Sequence, residues 1–167
     1  MFGLCGLCDL SLLLMFRFEL VVHFYCRQQY IKLLCGFARM NHERERANAW
    51  SYLAIGAAIE VHRIEGPGLI ESIYSKCFQR ECELRSIPVQ RELLVPIEYK
   101  GYVFEEPLRL DFLVDDVLIL EFKVVEEVLP LHKAQLLTYM RLLKKPLGLL
   151  INFYELVLKH GITGLTL

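Results

Sequence analysis

The stretch from Leu108 to Val125 limits the possible folds more than any other part of this 167-residue chain. Its even-numbered positions on either side of an Asp-Asp-Val loop are apolar. The charged residues Asp111, Glu121 and Lys123 stand at odd-numbered positions. Because side chains alternate between the two faces of a strand, the pattern predicts a β-hairpin with one buried face. The three charged residues would then share the other face.

The length of the loop decides which residues face each other across this hairpin. A three-residue loop would pair Val114 with Leu118 and Asp111 with Glu121. Carboxylates in such a pair have Cβ atoms about 5 Å apart and repel each other unless a cation lies between them. Oxygen ligands at that spacing suit Mg²⁺ or Mn²⁺. The alternative is a solvated strand face on which Lys123 forms an ordinary surface ion pair.

The chain after Met40 combines helical and strand patterns. Apolar residues at helical spacing predict helices over 44–64, 69–85 and 131–144. Alternating or continuous apolar runs predict strands over 89–99, 108–114, 118–125 and 147–153. The resulting order, α-α-β-β-β-α-β, predicts an α/β domain with a mixed sheet flanked by helices. The amphipathic tail after Glu155 receives no assignment.

Residues 1–39 differ in composition from the rest of the chain. They are rich in Leu, Phe, Cys and Met, but charged residues such as Arg17 and Glu19 interrupt the apolar run. Neither a membrane span nor a secretory signal is complete, so we expect no membrane attachment. We interpret this segment as an apolar extension before a natural start at Met40, with the domain spanning 40–167. A membrane-associated segment and an extra docked helix are the alternatives.

Charge and cysteine content bear on partners and compartment. The net charge is −1, which predicts a weak electrostatic footprint on DNA, and an acidic surface would also suit a protein partner. Cys5 and Cys8 have the spacing of half a zinc site, but no second such pair follows. The six cysteines show no disulfide framework, which favours a reducing cytoplasm.

Two of the predicted helices carry polar residues on one face. Glu71 and Tyr74 are three residues apart and follow a Gly-Pro-Gly turn. His132, Gln135 and Tyr139 recur at i, i+3 and i+7. Each stripe has an ordinary alternative, because tyrosines are often half-buried core residues and a lone histidine is usually a satisfied helix residue.

Taken together, these segments resemble the GxxExxY proteins, which are small members of the PD-(D/E)XK nuclease superfamily. The resemblance extends from about Ala57 to Gly161. Its motifs are Gly68-x-x-Glu71-x-x-Tyr74, Asp111 with Glu121-Phe-Lys123, Gln135-x-x-x-Tyr139 and the run from Gly148 to Phe153. The proline that usually precedes the aspartate in the superfamily is replaced here by Leu110.

The resemblance implies a metal-dependent nuclease that acts on DNA. Asp111, Glu121 and Lys123 would be the catalytic residues, and Glu71 would join the two carboxylates in binding Mg²⁺ or Mn²⁺. The residues that would position the substrate are Tyr74, His132, Gln135 and Tyr139. The alternative from a different class is a non-catalytic interaction module that keeps the nuclease fold and binds a protein partner.

Overall fold

The computed structural model describes the backbone of residues 8–167 and the side chains of residues 38–167. The chain divides into two units, Met1–Asn41 and His42–Leu167. Because side chains are described only from residue 38 onward, Cys5, Cys8 and most of the apolar extension lie outside the described side chains. Over the part that is described, no helical segment has the sustained hydropathy that a bilayer span requires.

Helix α1 (Cys8–Glu65) begins much earlier than the predicted start at residue 44, and that prediction was wrong. The polar segment from Asn41 to Arg46 contains neither proline nor glycine and includes strong helix formers, so nothing in it ends a helix. The predicted end is confirmed at Glu65. Gly66 follows with a left-handed φ of 68°, a conformation that glycine adopts without steric cost.

The other two helices agree with prediction to within two residues. They are α2 (Glu71–Leu84) and α3 (Pro130–Leu143), the latter with proline in its first turn. The strands are β1 (Val89–Val95), β2 (Glu98–Tyr99), β3 (Tyr102–Val103), β4 (Leu108–Val114), β5 (Leu118–Lys123), β6 (Leu147–Asn152) and β7 (Ile162–Thr166).

Five of these strands form one mixed sheet in the order β1-β4-β5-β6-β7. β5 and β6 are parallel and are connected by α3, whereas the other neighbours are antiparallel. The predicted fold class, an α/β domain with a mixed sheet flanked by helices, is confirmed.

Two details of the predicted strand order were wrong. The strand predicted over 89–99 stops at Val95, because Pro96 has no N–H to donate to a ladder. The chain then forms a separate hairpin, β2–β3, around Lys100 and Gly101. The unassigned tail supplies β7, which pairs with β6 and completes the sheet.

The sheet separates two apolar layers. The layer under α1 and α2 contains an aromatic cluster, formed by Tyr74, Phe78, Phe112, Phe122 and Phe153. The layer under α3 is aliphatic apart from Tyr139. Gly148 lets α3 approach β6 closely, since a Cβ there would lie 2.8 Å from both Leu136 Cδ1 and Met140 Sδ.

The β4–β5 hairpin has the predicted register, with Val114 opposite Leu118. The prediction that the even-numbered apolar side chains of the hairpin share one buried face was wrong for Leu110. This residue packs in the α3 layer and not with Phe112. In the register of β1 and β4, Glu92 lies opposite Asp111, and neither residue takes part in the ladder. Glu92 has a left-handed φ of 54°. The regular alternation of β4 therefore breaks at Asp111.

Candidate active site

Glu121 and Lys123 lie at the end of β5. They are two residues apart and so project from the same side of the strand. Glu121 is only 2% exposed, because its neighbours on this face belong to the apolar layer under α3. Lys123 Nζ donates a 2.6 Å hydrogen bond to Glu121 Oε1 and is the one cation in direct contact with that carboxylate within the described residues.

Asp111 is held against the same strand by the backbone. The ladder between β4 and β5 ends at the pair Phe112 and Leu120, one position before Asp111. Beyond that pair, Phe122 N–H donates to Asp111 Oδ2 at 2.8 Å. The carboxylate thus takes the place of a strand carbonyl and enters the gap where the two strands separate. This contact joins Asp111 to the residue between Glu121 and Lys123.

Glu71 reaches the site from the first turn of α2. Tyr74 holds the turn before that helix, because its hydroxyl donates to Gly66 O at 2.6 Å and accepts from Leu69 N–H at 3.2 Å. Tyr74 itself is fully buried and stacks on Phe153. The Gly-Pro-Gly turn and Tyr74 therefore act together to position Glu71, and Tyr74 does not face the site.

The polar residues of α3 have two roles: Gln135 and Tyr139 support the site, and His132 caps the start of the helix. Tyr139 donates to the backbone carbonyl of Arg109 at 2.8 Å and accepts from Gln135 Nε2 at 3.2 Å. These bonds fix the strand two residues before Asp111. His132 Nδ1 accepts from Leu129 N–H at 3.1 Å and caps the helix, so the neutral ring carries its proton on Nε2.

Two arginines near the carboxylates were missed by the sequence reasoning. The positive charges of Arg109 and Arg91 both favour ionisation of Asp111, and Arg109 acts on Glu71 as well. Arg109 is exposed, and its side chain forms no hydrogen bond or ion pair with the described residues. Its position two residues before Asp111 on the same strand was the available signal.

The acids of this cluster are shifted toward their neutral forms. Burial raises the pKa of Glu121 to about 7, and the negative charge of Asp111 adds to this effect while Lys123 opposes it. Burial also raises the pKa of Asp111 against the Phe122 hydrogen bond, and it raises the pKa of Glu71 against the charge of Lys123. Three carboxyl groups therefore share one poorly hydrated region.

Lys123 responds to these acids in the opposite sense. Burial alone would lower its pKa, but the hydrogen bond with Glu121 and the charges of Glu121, Glu71 and Asp111 outweigh burial and raise it. Lys123 is therefore an ammonium ion at neutral pH. It offsets part of the negative charge but leaves the cluster with more acids than bases in contact.

An unpaired oxygen of Glu121 bears on whether this cluster suits a cation. Oε2 of Glu121 is buried and has no hydrogen-bond partner, a state that is costly for a carboxylate. No three His, Cys, Asp or Glu side chains of the described residues form a ready metal cage. Mg²⁺ requires no such cage, because it commonly binds one or two carboxylates and retains several waters. Asp111 and Glu121 fit that requirement.

The central hairpin of the mixed sheet therefore carries a buried Glu beside a half-buried Asp and Lys where its strands separate. The family model of the PD-(D/E)XK nuclease superfamily matches residues 48–164. The chain belongs to this superfamily, and the match includes every residue of the cluster described above. No curated protein and no solved structure is significantly similar to the chain.

Proposed function

We propose that this protein is a metal-dependent nuclease that hydrolyses phosphodiester bonds of DNA, and that it belongs to the GxxExxY branch of its superfamily. The observation that carries the proposal is the buried Oε2 of Glu121. This oxygen has no hydrogen-bond partner, and the negative charge of Asp111 acts on the same carboxylate. A divalent cation would complete the coordination of this oxygen and offset the repulsion between the two acids.

Asp111 and Glu121, with the backbone carbonyl of Phe122, would hold Mg²⁺ or Mn²⁺. Glu71 would complete the carboxylate shell from α2, since the charges of Lys123 and Asp111 both act on it. When bound, the cation would stabilise charge on the attacked phosphate and lower the pKa of a nearby water. The acidic chain would in this way accept a negatively charged substrate.

Lys123 would act directly on the reaction. Its ammonium group would orient the attacking water, favour the hydroxide form of that water through its positive charge as the proton leaves to solvent, and stabilise charge that develops on the phosphate oxygens. Its Nζ lies 2.6 Å from Glu121 Oε1. A cation that shares the Glu121 carboxylate would weaken this ion pair and leave Nζ available to the substrate.

The remaining polar residues would position the nucleic acid. Gln135 and Tyr139 fix the backbone at Arg109, whose free guanidinium suits a phosphate next to the cleaved bond. His132 offers Nε2–H from the start of α3. Tyr74 would contribute indirectly, by holding the turn that carries Glu71.

We further propose that the protein works in the cytoplasm. Cys77 and Cys82, the cysteines whose side chains are described, are both free thiols, as a reducing compartment favours. Microscopy of the tagged protein with a cytoplasmic marker tests this assignment, and enrichment in a secreted fraction contradicts it.

The competing function, a non-catalytic module that binds a protein partner, has one observation in its favour. The ion pair between Glu121 and Lys123 is closed, and a closed pair satisfies part of the charge without any metal. The two functions differ in their response to divalent ions, because only the nuclease requires them.

Calorimetry with Mg²⁺ and with Mn²⁺, followed by cleavage of a mixture of single-stranded DNA, duplex DNA and RNA, separates these functions. We expect binding of a divalent ion and cleavage of DNA that stops in EDTA. A protein that binds neither ion at millimolar concentration is not the proposed nuclease. Cleavage of RNA alone would support metal-dependent phosphodiester hydrolysis but would replace DNA by RNA as the substrate.

A further inference from the structure

The β2–β3 hairpin exposes three aromatic rings on one of its faces. Tyr99 and Tyr102 are partners across the hairpin, and Phe104 is two residues beyond Tyr102, so the three side chains share a face. They are 62%, 63% and 41% exposed, and none of them belongs to either apolar layer of the domain. We call these three residues the aromatic face.

The hairpin projects from the end of the sheet that carries the candidate active site. β1 ends at Val95, opposite the first residue of β4, Leu108. Asp111 lies three residues further along β4, which is about 10 Å of strand. The exposed side chain of Arg109 stands between the hairpin and Asp111 in this sequence.

The charges of the hairpin are distributed unequally. Lys100 Nζ lies 5.3 Å from the centroid of the Tyr99 ring, so a cation accompanies the aromatic face. Glu98 alternates with Tyr99 and therefore projects from the opposite face. Glu105 and Glu106 follow Phe104 at the base of the hairpin. A ligand with flat apolar surfaces would meet the rings, whereas one covered in phosphates would meet these carboxylates.

We propose that the aromatic face binds unpaired nucleotides by stacking their bases and leads that strand past Arg109 to Asp111. The proposal rests on the proposed nuclease function and adds a substrate class to it, namely nucleic acid with a single-stranded segment. Aromatic side chains bind single strands because every base has a flat π-surface. A duplex hides its bases and so gains no stacking, and its two phosphate backbones bring twice the charge of a single strand toward the acids at the hairpin base.

The test is a binding titration of the full chain in EDTA, where cleavage cannot occur. The probes are a fluorescent oligothymidylate and a duplex of equal length at one salt concentration, read by anisotropy. The variant Tyr99→Val/Tyr102→Val removes two rings but keeps β-branched residues that favour a hairpin. Tyr99→Phe/Tyr102→Phe keeps both rings. Tyr52→Val, at an 86% exposed tyrosine on α1, is the matched control.

We expect the wild type to bind the single strand more tightly than the duplex. The valine variant should bind the single strand about tenfold or more weakly, as the loss of base stacking predicts. The phenylalanine variant and the Tyr52 control should bind like wild type. Circular dichroism of all four proteins checks that the fold is kept.

Wild-type affinity in the valine variant would overturn the inference, and so would equal affinity for duplex and single strand or no binding to the single strand. None of these outcomes touches the proposed nuclease function, because that function is decided by divalent-ion calorimetry and cleavage. Conversely, a protein that stacks single strands but binds no divalent ion would keep the hairpin inference and reject the nuclease.

Discussion

The β4–β5 hairpin carries aspartates at both ends, and the two ends stabilise them differently. At the loop, Asp115 Oδ2 accepts hydrogen bonds from Arg46 and, at 2.6 Å, from Trp50 Nε1. The Arg46 hydrogen bond is the largest cause that lowers the pKa of Asp115. At the open end, burial raises the pKa of Asp111 and Glu121, and one oxygen of Glu121 has no partner.

The difference separates a structural acid from a candidate functional one. Asp115 needs nothing beyond the fold, because α1 supplies a cation and a second donor to the same oxygen. At the open end, Glu121 is buried with one oxygen unpaired beside the half-buried Asp111, an arrangement that folding alone does not favour. Perturbed acids of this kind concentrate at functional sites. Each experiment below compares one end of the hairpin with the other.

The largest expected effect follows from Asp111→Asn. The amide oxygen can still accept from Phe122 N–H, so the fold is kept while the charge is lost. We expect divalent-ion binding to be lost and DNA cleavage to fall at least about a hundredfold. Asp115→Asn at the other end is the control and should change neither. Equal loss of cleavage in both variants would show that charge anywhere on the hairpin matters, and would remove the distinction.

Lys123→Ala should separate binding from chemistry. Lys123 is not a metal ligand, so calorimetry should give ion affinity within a few-fold of wild type, whereas cleavage on a gel should fall about a hundredfold. Lys145→Ala is the matched control, since Lys145 forms a 2.7 Å ion pair with Asp116 in the hairpin loop. Normal cleavage by the Lys123 variant would exclude a catalytic role.

The pH dependence of stability should have opposite signs at the two ends. Folding raises the pKa of Glu121 from 4.5 to about 7, so its contribution is complete below pH 4.5 and is lost as pH rises through 7. Folding lowers the pKa of Asp115, so its contribution is present above 3.8 and is lost as pH falls through the folded value.

Urea denaturation in EDTA between pH 4 and 8 tests this opposition. Wild type should lose about 1–3 kcal/mol as the pH rises across the Glu121 range, and Glu121→Gln should show a flatter profile. Added Mg²⁺ should remove most of the loss in wild type, because ion binding favours the ionised carboxylate. An unchanged slope in the glutamine variant would mean that Glu121 is not the titrating group.

Asp115→Asn should lower the free energy of unfolding at pH 7 by only about 1 kcal/mol. The partly exposed ion pair with Arg46 contributes little, and the hydrogen bond from Trp50 accounts for most of the effect. A blue or red shift of Trp50 fluorescence should accompany the change, because the indole N–H loses a charged acceptor. A loss of unfolding free energy above about 3 kcal/mol would mean that the loop end of the hairpin is as important to the protein as the open end.

The smallest expected effect concerns residues 1–39, which we propose lie outside the domain that carries both ends of the hairpin. A shortened chain of residues 40–167 should have a melting temperature within a few degrees of the full chain and equal cleavage activity. Aggregation or unfolding of the shortened chain alone would show that the extension stabilises the domain.

Local patterns predicted the core of the fold well, and they failed where long-range packing intervenes. Period-two alternation and a three-residue loop predicted the β4–β5 register, since each depends on neighbouring residues. The separate β2–β3 hairpin and the last strand, β7, were missed. β7 has little pattern of its own and exists because β6 offers it a free edge.

The candidate site divides in the same way. Asp111, Glu121 and Lys123 could be selected from sequence because they interrupt an apolar alternation at matching positions. Glu71 came from its spacing to Tyr74 and from a family resemblance. Arg91 was not selected, because its proximity to Asp111 depends on the pairing of β1 with β4, a contact between segments far apart in the chain.

By itself, the sequence determined which residues alternate, where helices end and which acids lie on the central hairpin, because these properties depend on local backbone geometry and side-chain size. Only the tertiary structure decided how those acids are solvated. The left-handed turn of the backbone at Glu92, the insertion of Asp111 toward Phe122 N–H and the burial of Tyr74 under Phe153 each arise from contacts between distant segments. Burial and unpaired oxygens are properties of a packed interior, and no spacing along the chain encodes them.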